Sequence, residues 1–137
     1  MLDAFWPWMH LAARVIFAIS LMVLSAGNFT SVDAVAGYAA SKKTPAPKAA
    51  VLASGVMVWA GAIFIALGWH RFIGSGLVIL FLIPVSLRMH NYWSQTDPAQ
   101  RVVDRVQFWK NMGLAGAALF FATYSRFDWP VSLGHIP

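Results

Sequence analysis

"AAVLASGVMVWAGAIFIALG" at residues 49–68 carries no charged side chain, and "FIGSGLVILFLIPVSL" at 72–87 is again uncharged. A helix rises about 1.5 Å per residue, so roughly 20 residues cover the ~30 Å hydrocarbon core of a bilayer. Neither stretch has the polar outer face that a helix of a soluble protein needs. Only "WHR" at 69–71 separates them, a turn short enough to make the two helices antiparallel neighbours. The pair reads as a membrane hairpin.

Two further segments are of the same kind: residues 15–24 with their flanks, and 112–125. The expectation is a single-domain, all-α integral membrane protein: a four-helix bundle with its N- and C-termini on the same side. Its spans are placed at about 8–27, 49–68, 71–90 and 107–125. The first helix is set to begin near Trp8, just after Pro7, since proline suits a first helical turn. Pro84 lacks an N–H and crowds the carbonyl of Leu80, which predicts a kink there. The fourth helix is predicted to start before the membrane, at about residue 98. Asp97 is a good N-cap, Pro98 suits the first position and Gln100 the reciprocal capping position. Val102, Val103 and Val106 fall on one side of it, and Arg101, Asp104 and Arg105 on the other. Residues 28–48, with "SKKTPAPK" at 41–48, are read as an extended, hydrated loop.

The whole composition agrees. Of 137 residues, 59% are hydrophobic and 11% charged, against about 25% charged in soluble domains. The net charge of +5 is not a nucleic-acid signal, because the basic residues sit beside apolar spans, where they set topology. Lys42, Lys43, Lys48, Arg88, Arg101, Arg105 and Lys110 lie on the side of the first and third loops; Arg14, Arg71 and Arg126 lie on the other. The positive-inside rule makes those loops cytoplasmic and both termini external. "MLDAFWPWMH" has Asp3 and no basic residue before Arg14, so the first helix reads as a retained span and not a signal peptide. Trp6, Trp8, Trp69 and Trp129 would form one interfacial belt, and Tyr92, Trp93 and Trp109 the other. Ser54, Gly61 and Gly68 recur every seven residues, and Gly113 and Ala117 are four apart. Small residues at these spacings let helices approach closely, within the bundle or in an oligomer.

The few polar residues collect in "RMHNYWSQ" at 88–95 and "FWKN" at 108–111. His90, Asn91, Lys110 and Asn111 would face one another at the cytoplasmic ends of the third and fourth helices. One reading is a clasp, with Lys110 on the last carbonyls of the third helix and Asn111 bonding across the interface. The other is a headgroup site, in which His90 and Asn91 bond a quinone carbonyl and Tyr92 or Trp93 stacks on its ring. Arg88, Arg101 and Arg105 would meet anionic lipid heads. Arg14 lies inside the first span; it is expected to snorkel outward, pairing with Asp3 or Asp128, or to contact a ligand.

No metal or haem is expected. The chain lacks cysteine and glutamate, and His10, His70 and His135 are placed opposite His90. No nucleophile has a His–Asp partner on its side, so no catalytic residue is assigned.

"FLIPVSLRMHNYW" at 81–93 with "FWKN" at 108–111 resembles the DoxX family of small four-helix membrane proteins. Arg14, "SAGNF" at 25–29 and "YAASKKTPAPK" at 38–48 are similar to that family's first helix and loop. The likeness spans about residues 10–125 and points to Arg14, His90, Asn91, Trp93, Lys110 and Asn111; the glutamate that many members carry in the second helix is missing. It implies a bacterial or archaeal inner-membrane protein that is an accessory subunit of a membrane redox or energy-transducing complex. Its partners would be lipids and other membrane subunits or itself. Two alternatives stay open: a quinone-handling component of a quinol oxidase or thiosulfate:quinone oxidoreductase, and a homo-oligomeric small-molecule transporter.

Overall fold

A computed structural model describes residues 2–133, with side chains from residue 4, and among these it contains helices and no strand. The helices are α1 (Leu2–Ser25), α2 (Gly27–Thr30), α3 (Val32–Ser41), α4 (Pro47–Leu67), α5 (Arg71–Met89) and α6 (Pro98–Tyr124). A 3₁₀ turn at Tyr92–Ser94 joins α5 to α6.

Three helices are long and apolar enough to cross a membrane: Ala4–Thr30, Pro47–Leu67 and Arg71–Ser94, with mean hydropathy 1.8, 2.2 and 2.0. Only 33%, 33% and 28% of those stretches is buried within the protein, so most of their apolar surface points outward. Ile16, Val56 and Phe72 are all well exposed on it. Water would not tolerate so large an apolar patch, whereas lipid requires one. α6 falls outside this group of three among the described residues. Its first four turns carry Arg101, Asp104, Arg105 and Lys110, and only the part from Met112 onward is free of charge.

α4 packs between α1 and α5, and α5 between α4 and α6. The α4–α5 contact is backbone on backbone: a Cβ on Gly61 would lie 2.7 Å from the carbonyl of Gly74. That is why small residues recur there. Val58, Ala62 and Ile65 of α4, Val78 of α5 and Ala118 of α6 are fully buried in the common core. α6 meets α1 through side chains, with the rings of Phe17 and Phe121 5.3 Å apart. Gly68 ends α4 with φ +66°; its N–H donates to Ile65 and that of Trp69 to Phe64, which satisfies the last carbonyls.

α5 carries Pro84 inside a continuous helix. Two local expectations change. α1 begins before Pro7, which lies inside it near the start, where early N–H groups lack partners anyway. Most of the expected loop is helical: Val32, Val35, Ala36 and Ala39 make an apolar stripe on α3 that packs on Val51 and Met89. Lysine and proline are confined to the turn after it and the first two positions of α4.

Candidate functional site

The side chain at the centre of the polar end is Asp104 of α6, 1% exposed and lying between exposed Arg101 and Arg105. The sequence groups it with Arg101 and Arg105 on one side of the helix, but it is buried where they are exposed. It belongs to a stripe that continues through Asn111, Ala115 and Ala118, all buried. The seven-residue spacing of Asp104 and Asn111 could have revealed this. Its carboxylate accepts from Gln95 Nε2 at 2.5 Å and Gln100 Nε2 at 3.1 Å. Lys42 Nζ and His90 Nδ1 each stand 3.5 Å away, and the Tyr38 hydroxyl 3.4 Å. Tyr38 and Lys42 come from α3 and its end, so the unforeseen helix supplies part of the cluster.

Burial pushes the Asp104 carboxyl up, but hydrogen bonds from Gln95, Gln100 and His90 and the charge of Lys42 outweigh it and hold the group below the usual carboxylate range. Burial raises the Tyr38 phenol, and the adjacent Asp104 carboxylate raises it further.

The expected site residues separate into several groups. His90, Lys110 and Asn111 line one cavity of about 230 Å³, walled by apolar residues including Leu21, Phe81 and Leu114. It lies in the seam between α1 and α6, over α5, where no backbone packing closes the gap. Asn91 sits elsewhere and accepts from Lys42 Nζ at 3.1 Å. Trp93 is 54% exposed and packs edge-on against Tyr92 and Phe108. Lys110 does not cap α5: its ammonium donates to Gln107 Oε1 at 2.6 Å, and the Met89 carbonyl accepts from Tyr38 at 2.9 Å. Arg101 binds the Gln95 carbonyl through Nε and Nη2 (3.0 and 2.6 Å), Arg105 is exposed, and Arg88 donates to the carbonyl of Lys43. Asp97 caps α6 through Ala99 N–H, as expected, but Gln100 turns to Asp104 instead of completing a capping box.

Arg14 lies at the opposite end, and it does not snorkel. It is 0% exposed, and its Nη2 donates to the carbonyls of Pro130 and Val131 at 3.0 and 2.7 Å. Its guanidinium lies 5.4 Å from the ring centroid of Trp129, and that of Arg71 lies 5.2 Å from the same ring. The segment after α6 folds back over α1 and supplies these partners, which is why hydropathy alone misplaces Arg14. The Asp3 side chain and His135 lie outside the described residues. His10 packs on Trp129 and Tyr124 at this end, and His70 on Trp69 and Phe64 at the α4–α5 turn. Among the described residues, no three His, Asp or Glu side chains gather as a metal site would need.

Three apolar crossing helices and one polar end define a helical integral membrane protein with a small amphipathic cavity. The chain is similar to "Inner membrane protein YphA" of Escherichia coli (strain K12), 29% identical over 116 residues, which is 85% of this chain and 82% of that one. No family model matches the chain, and no solved structure matches it.

Proposed function

We propose that this protein is a DoxX-type inner-membrane subunit of a redox complex, with α6 as its fourth span, and that it holds a quinone headgroup in the α1–α6 cavity. One observation carries the reading. His90, Lys110 and Asn111 place hydrogen-bonding groups at a cavity whose lining is otherwise mostly apolar, with Ser25, Asn28, Tyr38 and Gln107 the further polar residues. At about 230 Å³ it is smaller than the ~300–1,000 Å³ of drug-sized pockets, which suits a single ring. The ring's carbonyl would accept from Lys110 or Asn111, and its tail would leave along the seam into lipid. In this reading the protein binds and positions the quinone, and a partner subunit carries the electrons. Gly113 and Gly116 of α6, with open space where a Cβ would stand, leave a face on which a neighbouring helix can approach closely.

The test is quinone retention by the protein purified in mild detergent. His90→Ala and the cavity-filling Leu114→Trp should each deplete quinone while the protein still assembles with its partners. Unchanged quinone content in both would refute the site. Co-purification of a stoichiometric complex without quinone would leave an accessory subunit alone, and a homo-oligomer with solute uptake would favour the transporter. Cysteines introduced at Ser41 and Ser132 test the orientation, in which only the Ser41 position is reached from the cytoplasm.

A further inference from the structure

Two more hollows meet at Arg88. One is a polar cleft of about 640 Å³ over the Asp104 network, lined by Lys42, Lys43 and Arg88 among polar neighbours, with no acidic side chain among the described residues lining it. The other is an apolar groove of about 220 Å³ between α3, α4 and α5, walled by Val51, Phe81, Pro84 and Val85. Arg88 lines both.

Their order follows membrane depth. Arg88 is in the last turn of α5, where the helix leaves the apolar region, and Val85 and Phe81 lie one and two turns further in on the same face. Thr44 also lines the groove, and its buried hydroxyl has no hydrogen-bond partner among the described residues. Lys42 is committed to Asp104 and Asn91. The Lys43 ammonium makes no ion pair among the described residues; the chain turns there at φ +57°, held by Arg88 on its carbonyl.

We propose that these hollows form one site for an acidic glycerophospholipid. The phosphate sits between Lys43 and Arg88, an ester carbonyl accepts from the Thr44 hydroxyl, and one acyl chain fills the groove beside Phe81 and Val85. A zwitterionic headgroup would bring its own cation into a cleft that is already basic, so the site selects acidic lipids. It shares the Phe81–Val85 wall, Asn28 and Tyr38 with the quinone cavity but not His90, Lys110 or Asn111, and it stands whether or not quinone binds.

The full chain in nonionic detergent is titrated with phosphatidylglycerol, phosphatidylcholine, glycerol 1-phosphate and inorganic phosphate, and binding is read by native mass spectrometry and thermal shift. Phosphatidylglycerol should bind in preference to phosphatidylcholine, and the two chain-free phosphates should bind far more weakly. A basic residue beside an acidic headgroup is worth about fivefold in affinity. Lys43→Gln should therefore weaken phosphatidylglycerol about fivefold, and Lys43→Gln with Arg88→Gln about thirtyfold. Ala50→Phe, which intrudes on the groove from α4, should weaken the lipid and leave glycerol 1-phosphate unchanged. Equal binding of the two lipids overturns the proposal, as does equal binding of free phosphate, which would mark a plain anion site. Arg88 also holds the turn, so if the double variant fails to fold, Lys43→Gln decides alone: an unchanged affinity refutes the site.

Discussion

Asp104→Asn removes one charge from the middle of the polar cluster and keeps the shape of the side chain. The amide retains Oδ1 as an acceptor for Gln100, but replaces Oδ2 with an NH₂ that faces two donors, Gln95 Nε2 and Lys42 Nζ. Gln95 can reverse its own amide and recover one hydrogen bond. Lys42 cannot, and its side chain is only 14% exposed. Breaking a buried pair costs about 3–5 kcal/mol. The remaining bond from Lys42 to Asn91 and the easier burial of a neutral amide reduce that to about 2–3 kcal/mol. At this chain length 1 kcal/mol moves Tm by about 3–5 °C, so the expected drop is about 10 °C. The seven tryptophans give a direct readout by intrinsic fluorescence during heating in detergent. Lys42→Met in the same background isolates the ion pair, and the double variant should be less destabilised than the sum of the singles by about 1–2 kcal/mol. A drop under about 3 °C, or strict additivity, would show that Asp104 is not the centre of the cluster.

The pH dependence follows from the same group. Its folded pKa lies below its unfolded value, near 3.8, so its contribution is complete above about pH 5 and is lost as pH falls below about 4. The Tm difference between the parent and Asp104→Asn should thus be constant from about pH 7 to 5 and begin to shrink below about 4; a difference that instead grows as the pH falls contradicts the depressed pKa. Arg14→Ala leaves the carbonyls of Pro130 and Val131 without their donor and should cost about 3 kcal/mol, with new proteolysis in residues 126–133 as the specific sign. Arg14→Lys should rescue only part of this, because an ammonium cannot both bridge two carbonyls and lie flat on Trp129. Gly61→Ala puts a Cβ 2.7 Å from the Gly74 carbonyl and should cost about 1–3 kcal/mol, whereas Gly116→Ala meets nothing within 4 Å and should leave the melting curve of the isolated protein unchanged.

The crossing helices could be read from the sequence because lipid imposes one simple demand: long uncharged runs with no polar face. The ends of α4, α5 and α6 lie within two residues of where hydropathy, Gly68 and the Asp97–Pro98 cap put them. α3 escaped because its apolar stripe is made of alanine and valine, and the adjacent Lys-Pro turn dominated the composition. Asp104 escaped for a related reason. The sequence groups it with its neighbours Arg101 and Arg105, and its partners Tyr38 and Lys42 belong to the unforeseen helix and its end. Arg14 is different: its hydrogen-bond acceptors are backbone carbonyls more than a hundred residues away, and a carbonyl has no side-chain signature in the sequence.

The two ends of the bundle treat buried polarity differently, and the difference leaves hollows at one of them. At the Arg14 end, the segment after α6 folds back and packs its carbonyls and Trp129 directly on the two arginines. At the Asp104 end, the polar groups bond to one another and leave the seam, the cleft and the groove around them. α3 or the turn that follows it borders all three: Tyr38 faces the seam and the cleft, Val35 the seam and the groove, and Lys43 the cleft. The bonds that Tyr38 and Lys42 send to Met89 and Asp104 therefore do more than stabilise a loop. They fix the wall shared by these three hollows, so weakening them through Asp104→Asn should lower both quinone retention and acidic-lipid affinity. His90→Ala and Lys43→Gln should each affect only one.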